Sequence, residues 1–297
     1  MIALVVVLIL IVAYLVKVYS DQYMSLKVLS FNVLAQVWVD SELRRLVPQK
    51  YLNATYRINR QIRVLKIENA DIVFLQEVTP RVLKKYMQKL KGYKFCFAPT
   101  DWKMYCGRDK GWRTYCTSNK TALTGNAILW KADKFKRVKC TVVTLDNIRS
   151  NRAIKVAATL KSGKQIHLVC VHLAYGDRQA ASMQFHNIFK SAIKNQRRVI
   201  IAGDFNMGVP NMPIVGEIHH RGFTDLSQGV RTHPFYFHEN EDFTLTHILT
   251  RGFHMKTKPA IAGCKNLFKK PDRDAIFKSL KIFGSDHFPI VTNLTIK

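Results

Sequence analysis

Asn32, Glu77, His172, Asp204, Asn206, Asp286 and His287 all lie at or just beyond the ends of short apolar runs in this chain. A single strand-end Asp is ordinarily a turn or a helix cap, and a single His is ordinarily a hydrogen-bonded structural residue. A whole set is harder to dismiss, because the carboxyl ends of strands in an α/β sheet converge on one edge, where ligands bind. Their chemistry is coherent. Glu77 and Asp286 are hard oxygen donors that suit Mg²⁺, which takes one or two carboxylates and keeps waters for a substrate phosphate. Asn32 supports that metal shell or hydrogen-bonds a phosphate oxygen. His287 acts as general base toward water or as an electrostatic partner of the phosphate, and Asp204 orients the nucleophile. His172 and Asn206 donate to non-bridging oxygens as charge develops on them. The set suits metal-assisted attack of water on a phosphodiester.

The elements that must hold these residues follow from hydrophobic periodicity. Residues 26–31 form a strand ending at Asn32, and residues 56–69 carry Ile58, Ile62, Leu65 and Ile67 at helical spacing. Residues 71–75 are apolar after Asp71, as expected of a strand buried on both faces, and they deliver Glu77. Pro80 opens a basic helix, and residues 93–98 make a further strand. Strands are also expected over 127–130, 135–145, 243–249 and 290–296, and residues 153–160 and 165–172 form a hairpin turned by Ser162-Gly163-Lys164. A helix over 179–194 leads into the apolar strand 199–202 before Asp204, and Pro210 and Pro213 start a short helix toward His220. No linker or internal repeat interrupts residues 25–297, so one α/β domain is expected.

Five motifs in order carry a resemblance. They are Leu29-Ser30-Phe31-Asn32-Val33-Leu34-Ala35-Gln36, Phe74-Leu75-Gln76-Glu77-Val78, Val171-His172-Leu173, Gly203-Asp204-Phe205-Asn206 and Gly284-Ser285-Asp286-His287-Phe288-Pro289. Together they resemble the endonuclease/exonuclease/phosphatase superfamily, with its deoxyribonuclease I-like fold, from Leu26 to Lys297. The resemblance implies a four-layer α/β/β/α sandwich of two mixed β-sheets flanked by helices, a Mg²⁺ or Mn²⁺ cofactor, and hydrolysis of phosphoester bonds. It makes Glu77 and Asp286 metal ligands with Asn32 near the metal, and it gives His172, Asp204, Asn206 and His287 catalytic roles. Arg152 is similar to a phosphate-contacting arginine of some branches. One position departs from the pattern: Thr246, in Leu245-Thr246-His247-Ile248-Leu249, stands where the family has an Asp that orients the catalytic His. Asp242 is a poor substitute, being about 13 Å away along a strand.

Composition narrows the substrate. The 47 Lys and Arg against 20 Asp and Glu give a net charge of +27, which favours a polyanionic partner. Nucleic acid is the expected substrate, with a membrane phospholipid or phosphoinositide as the alternative and a catalytically silenced nucleic-acid or lipid binder as a further one. Trp102, Tyr105, Trp112 and Tyr115, interleaved with Lys103, Arg108, Lys110 and Arg113, suit base stacking and phosphate neutralisation, or pack on one another. The six cysteines lack zinc-finger spacing; Cys106 and Cys116 could close a loop, while Cys140 and Cys170 lie in apolar runs typical of buried free thiols. Residues 2–16 are uncharged and apolar, short of the roughly 20 of a full span. Lys17 and Tyr19 could extend the run by snorkelling. An uncleaved single-pass anchor over residues 1–20 is expected, with the body on the cytoplasmic side because the positive charges follow the run; the rival is a secretory signal peptide cut before Asp21. The chain is read as a monomer.

Overall fold

Period-two burial along the central strands organises the molecule. In the computed structural model, which describes residues 5–12, 14, 24–99, 124–146, 151–207, 215–234, 244–263 and 274–296, thirteen strands form two mixed sheets. The first contains β1 (Ser25–Asn32), β2 (Ile72–Gln76), β3 (Tyr93–Pro99), β4 (Gly125–Lys131), β11 (Phe253–Met255), β12 (Ala260–Ile261) and β13 (Ile290–Ile296), in the order β11-β13-β1-β2-β4-β3 with β12 also on β13. The second contains β5 (Phe135–Thr144), β6 (Arg152–Leu160), β7 (Gln165–His172), β8 (Val199–Asp204), β9 (Thr224–Asp225) and β10 (Thr246–Arg251), in the order β5-β6-β7-β8-β10-β9.

Alternate residues of each strand face opposite sides. Val28, Ile72, Phe74, Leu168, Ile200 and Ala202 pack between the sheets. Their chain neighbours Leu29, Val73 and Leu75 pack outward against helices α3 (Ala54–Glu68), α4 (Pro80–Lys89) and α7 (Ala275–Phe283). On the other flank Val169, Val171 and Ile201 meet Phe185, Ile188 and Phe189 of α5 (Arg178–Ser191). The result is the expected α/β/β/α sandwich. Short helices α1 (Ser41–Leu46), α2 (Gln49–Leu52) and α6 (Val215–His220) lie among the connecting segments. The caps explain where the flanking helices start. Asn53 accepts from the backbone N–H of Thr55 and Tyr56, Thr79 from Val82 ahead of Pro80, and Asp177 from Ala180.

Cys140 corrects the expectation of a buried free thiol. It is exposed on the edge strand β5 and is disulfide-bonded to Cys96 on β3, the edge strand of the other sheet, with the Cα atoms 6.3 Å apart. Only Phe135 of this strand is buried, so Cys140 lies on an exposed edge rather than in the core. Cys170 is free and buried as expected. Residues 5–12 are helical, with exposed apolar side chains such as Leu8 and Leu10. Among the described residues no helix is long and apolar enough to cross a membrane. Lys17, Tyr19, the aromatic stretch with Trp102, Tyr105, Trp112 and Tyr115, Cys106, Cys116, Pro210, Pro213 and Asp242 lie outside the described residues.

Candidate active site

β1 and β2 run parallel in one sheet and β7 and β8 run parallel in the other. Their carboxyl ends deliver Asn32, Gln76-Glu77, His172 and Asp204. The antiparallel strands β6, β10 and β13 begin at the same edge, which brings in Arg152, Thr246 and the preceding Asp286-His287. One side chain bridges carboxylates of the two sheets at this edge: Asn32 Nδ2 donates to Glu77 Oε1 and to Asp204 Oδ2, both at 2.8 Å. Asn32 is wholly buried, so its amide serves as the clamp between a carboxylate of each sheet.

Two matching turns shape the loops. Asn32 Oδ1 accepts from Leu34 N at 3.0 Å and Asp204 Oδ1 accepts from Asn206 N at 2.9 Å, the Asx arrangement that lets a short polar side chain turn its own backbone. Leu34 and Asn206 adopt the left-handed region, φ 52° and 56°, and so does Glu77 at 60°. Backbone strain of this kind persists only where the surroundings over-determine it; here Glu77 is held by Asn32 and by Ala35 N, which donates to Oε2 at 2.8 Å. Gly203 is required by close approach, since a Cβ there would lie 1.9 Å from the Val171 carbonyl oxygen.

Around the clamp, Asp204 Oδ2 lies 3.5 Å from His287 Nε2 and 3.7 Å from His172 Nε2. Asn206 Nδ2 donates to the Leu173 carbonyl at 2.9 Å. Ser285 Oγ donates to the Asn32 carbonyl at 2.7 Å and accepts from His287 N at 3.2 Å, which ties the Asp286-His287 turn to the end of β1. Arg152 stands at the same edge on β6, where its carbonyl accepts from Asn126 Nδ2 at 2.7 Å. Thr246 is paired with Asp204 across β10 and β8. Both Thr246 Oγ1 and His287 Nδ1 are buried without a hydrogen-bond partner.

The carboxylates are driven apart in acidity. Burial raises the Glu77 pKa, helped by the Asp286 charge and only partly offset by His172 and the Asn32 bond. Burial acts the same way on Asp204, but His287, His172 and the bonds from Asn32 and Asn206 outweigh it and hold that pKa low. Asp286 is likewise held at about 2, because His233, His287 and Arg57 overcome its burial. Among the described residues no Lys or Arg forms an ion pair with Glu77 or Asp286, and the nearest basic group to Asp286 is His233 at 3.9 Å. Two neighbouring carboxylates on one edge, one of them kept hard to ionise, fit a divalent cation.

Several positioning residues carry no motif. Arg57 and Gln61 of α3 are buried; Gln61 Nε2 donates to the carbonyls of Val33 at 2.7 Å and Gly284 at 2.8 Å, and Tyr86 Oη donates to its Oε1. Arg57 Nη1 donates to the Leu34 carbonyl at 2.8 Å. Helical spacing placed both on a core-facing stripe, where polarity among apolar neighbours was the only signal. His233 packs on His287 with ring centroids 4.5 Å apart; nothing in its sequence neighbourhood distinguishes it from the nearby His219 and His220.

The sequence profile of the Endonuclease/Exonuclease/phosphatase family matches residues 29–287. A relative, the CCR4-Not complex 3'-5'-exoribonuclease subunit Ccr4 of Candida albicans, is 25% identical over 221 residues, which are 64% of this chain and 28% of that protein. The chain thus spans little more than a quarter of that relative's length. Solved structures share the fold. An endonuclease/exonuclease/phosphatase family protein from Bacteroides thetaiotaomicron has a TM-score of 0.66 at 16% identity, covering 93% of this chain and 96% of that one. ANGEL2, a 2',3'-cyclic phosphatase in complex with adenosine-2',3'-vanadate, has 0.64 at 16%, covering 93% and 96%. The human Nocturnin catalytic domain has 0.63 at 19%, covering 92% and 94%. With the profile matched from the first motif to the last, the chain belongs to the endonuclease/exonuclease/phosphatase family, hydrolases that act on phosphoester bonds.

Proposed function

We propose that this domain is a divalent-metal-dependent nuclease that hydrolyses nucleic-acid phosphodiester bonds. The observation that carries the reading is the clamp of Asn32 between Glu77 and Asp204, with His287 and His172 within 4 Å of Asp204. Glu77 and Asp286 would hold Mg²⁺ or Mn²⁺ with Asn32 behind them, and the ion would polarise the phosphate and neutralise its charge. Asp204, kept ionised, orients the attacking water, and His287 Nε2 accepts its proton. His172, more than a quarter exposed, donates to a non-bridging oxygen. One hydrogen of the Asn206 amide goes to Leu173, which leaves the other for the phosphate.

Nucleic acid is favoured over lipid by the net charge of +27 and by the kinship with an exoribonuclease subunit. Tyr175, 79% exposed just beyond His172, suits stacking on a base, and Arg152 at the same edge suits a flanking phosphate. The apolar residues 2–16 would tether the domain to a membrane. The Cys96–Cys140 disulfide favours an oxidising side over the cytoplasmic side expected from charge. The test is to incubate the full chain with Mg²⁺ or Mn²⁺ and labelled RNA, DNA, sphingomyelin or phosphoinositides, beside His287→Ala. Oligonucleotide cleavage that is lost in the variant is expected. Turnover of lipid alone would sink the nuclease reading, and binding without any turnover would sink the enzymatic one.

A further inference from the structure

His233 is fixed in place by its neighbours. Thr232 Oγ1 accepts from the backbone N–H of Leu245 and Thr246 at 2.8 and 2.9 Å, and the Thr232 carbonyl accepts from Phe288 N at 2.8 Å. The segment is therefore pinned between the start of β10 and the residue after His287. His233 itself is 3% exposed. Its ring meets that of His287 edge-on at 70°, and its Nε2 lies 3.9 Å from Asp286 Oδ2. That separation is too long for a hydrogen bond, but bonds of about 2.0–2.2 Å to one shared ion place ligand atoms roughly 3–4 Å apart. One ligand atom from each of His233, Asp286 and His287 falls within 4.8 Å of the others.

We infer that His233, Asp286 and His287 form a cation site with two imidazole nitrogens and one carboxylate oxygen, beside the oxygen-only position at Glu77; an ion held there takes up the His287 imidazole that otherwise accepts the proton, so the loaded site is an inhibited state of the centre. The inference rests on the reading of the Asp286-His287 turn as part of the metal centre, and it adds a ligand that no motif announced. The donor set selects the ion. Imidazole suits Zn²⁺, Fe²⁺, Ni²⁺ and Cu²⁺, whereas Mg²⁺ and Mn²⁺ prefer oxygen ligands, so His233 biases this half of the centre toward a borderline transition metal, for which Co²⁺ serves as a spectroscopic probe. The neighbouring Glu77 keeps its hard oxygens for a second ion.

The test is a metal titration of the full chain that does not depend on turnover. Co²⁺ added to the apoprotein should give visible absorption bands of a nitrogen-ligated ion. His233→Ala should weaken that binding at least about tenfold, as loss of a ligand or its support does, while Glu77→Gln should leave it within about threefold. Co²⁺ affinity and spectrum unchanged in His233→Ala, or lost in Glu77→Gln alone, would overturn the site. Should His233→Ala fail to fold, X-ray absorption on the Zn²⁺-loaded wild type decides: two imidazole ligands support the inference, and one or none refutes it. The activity reading fails separately. A two-imidazole ion in a chain that cleaves no phosphoester leaves this site standing, and Mg²⁺-supported cleavage without Co²⁺ or Zn²⁺ binding removes it.

Discussion

Replacing Thr246 by Asp should speed the reaction, and the structure sets the size of the gain. Thr246 is paired with Asp204 across β10 and β8, so the two side chains share a face with Cβ atoms about 5 Å apart. Asp204 Oδ2 in turn lies 3.5 Å from His287 Nε2, while His287 Nδ1 and Thr246 Oγ1 are both buried and unbonded. A carboxylate at 246 would accept from Nδ1–H, leave Nε2 free to take a proton, and stabilise the imidazolium that results. A hydrogen bond to a charged group contributes about 1.5–3 kcal/mol, and about 1.4 kcal/mol is tenfold in rate. The expected rise in kcat is therefore about 10- to 150-fold, short of the roughly 10⁴ lost when a serine-protease triad loses its orienting Asp. Against it stands a like charge directly across from Asp204, which destabilises the fold by up to about 1 kcal/mol. The assay is single-turnover cleavage of a labelled oligoribonucleotide by wild type, Thr246→Asp and Thr246→Asn, each also in a His287→Ala background. A folded Thr246→Asp enzyme with unchanged kcat refutes the reasoning, and so does a gain that survives removal of His287.

Gln61→Ala leaves the Val33 carbonyl and the Tyr86 hydroxyl without their Gln61 partner, and the Gly284 carbonyl with only a 3.4 Å bond from Arg57 Nη1. At about 1–3 kcal/mol per buried group, a loss of about 3 kcal/mol, or roughly 6–10 °C in Tm, is expected by calorimetry, with reduced kcat because the loops bearing Asn32 and Asp286 loosen. Cys140→Ser opens a disulfide spanning 44 residues, which should cost about 4 kcal/mol by the chain-entropy relation; denaturant unfolding of wild type with and without reductant should reproduce that difference. His247 should make stability fall with rising pH. Burial lowers its pKa, but Asp225, 2.8 Å from Nδ1, outweighs it and holds the value above 6.5. Its contribution is thus complete below pH 6.5 and lost as pH rises through the folded value, so Tm should drop as pH rises above about 6.5 in wild type and stay flatter in His247→Gln.

The longer strands were legible where alternate residues or both faces are buried, whereas the two- and three-residue strands β9, β11 and β12 were not expected. The hairpin strand 165–172 and the last strand 290–296 have the bounds that the sequence implied, and β2 is buried throughout. Helices α1, α2 and α7 were not expected: the first two are short, and α7, Ala275–Phe283, carries apolar residues around most of its circumference, which hides its period. Motif residues at strand ends converge because parallel strands must end on one edge. Arg57, Gln61 and His233 were invisible for a different reason. They act through tertiary contacts with loops 23 to 223 residues away in the chain, and no local pattern records such a partner. Cys140 misled because the run around it shows a strand but not that the strand lies at a sheet edge opposite Cys96.

Asn32 shows why the sheets and the site cannot be separated. Its amide is the only group bonded to both Glu77 and Asp204 among the described contacts, and its own carbonyl is bonded by Ser285 from the Asp286-His287 turn. An Asp in that position would have the same shape but would place a third carboxylate where two already face each other, with no N–H to offer either. An amide donates twice and carries no charge, which is what two adjoining buried carboxylates need from a spacer. The pKa directions then divide the labour. Asp204 and Asp286 remain ionised because histidines face them, whereas Glu77, raised by burial and by the Asp286 charge and only partly offset by His172, is the carboxylate whose charge a divalent ion would most stabilise. Packing of the two sheets therefore creates the charge imbalance, and binding of a cation at Glu77 would in return stabilise the packed sheets.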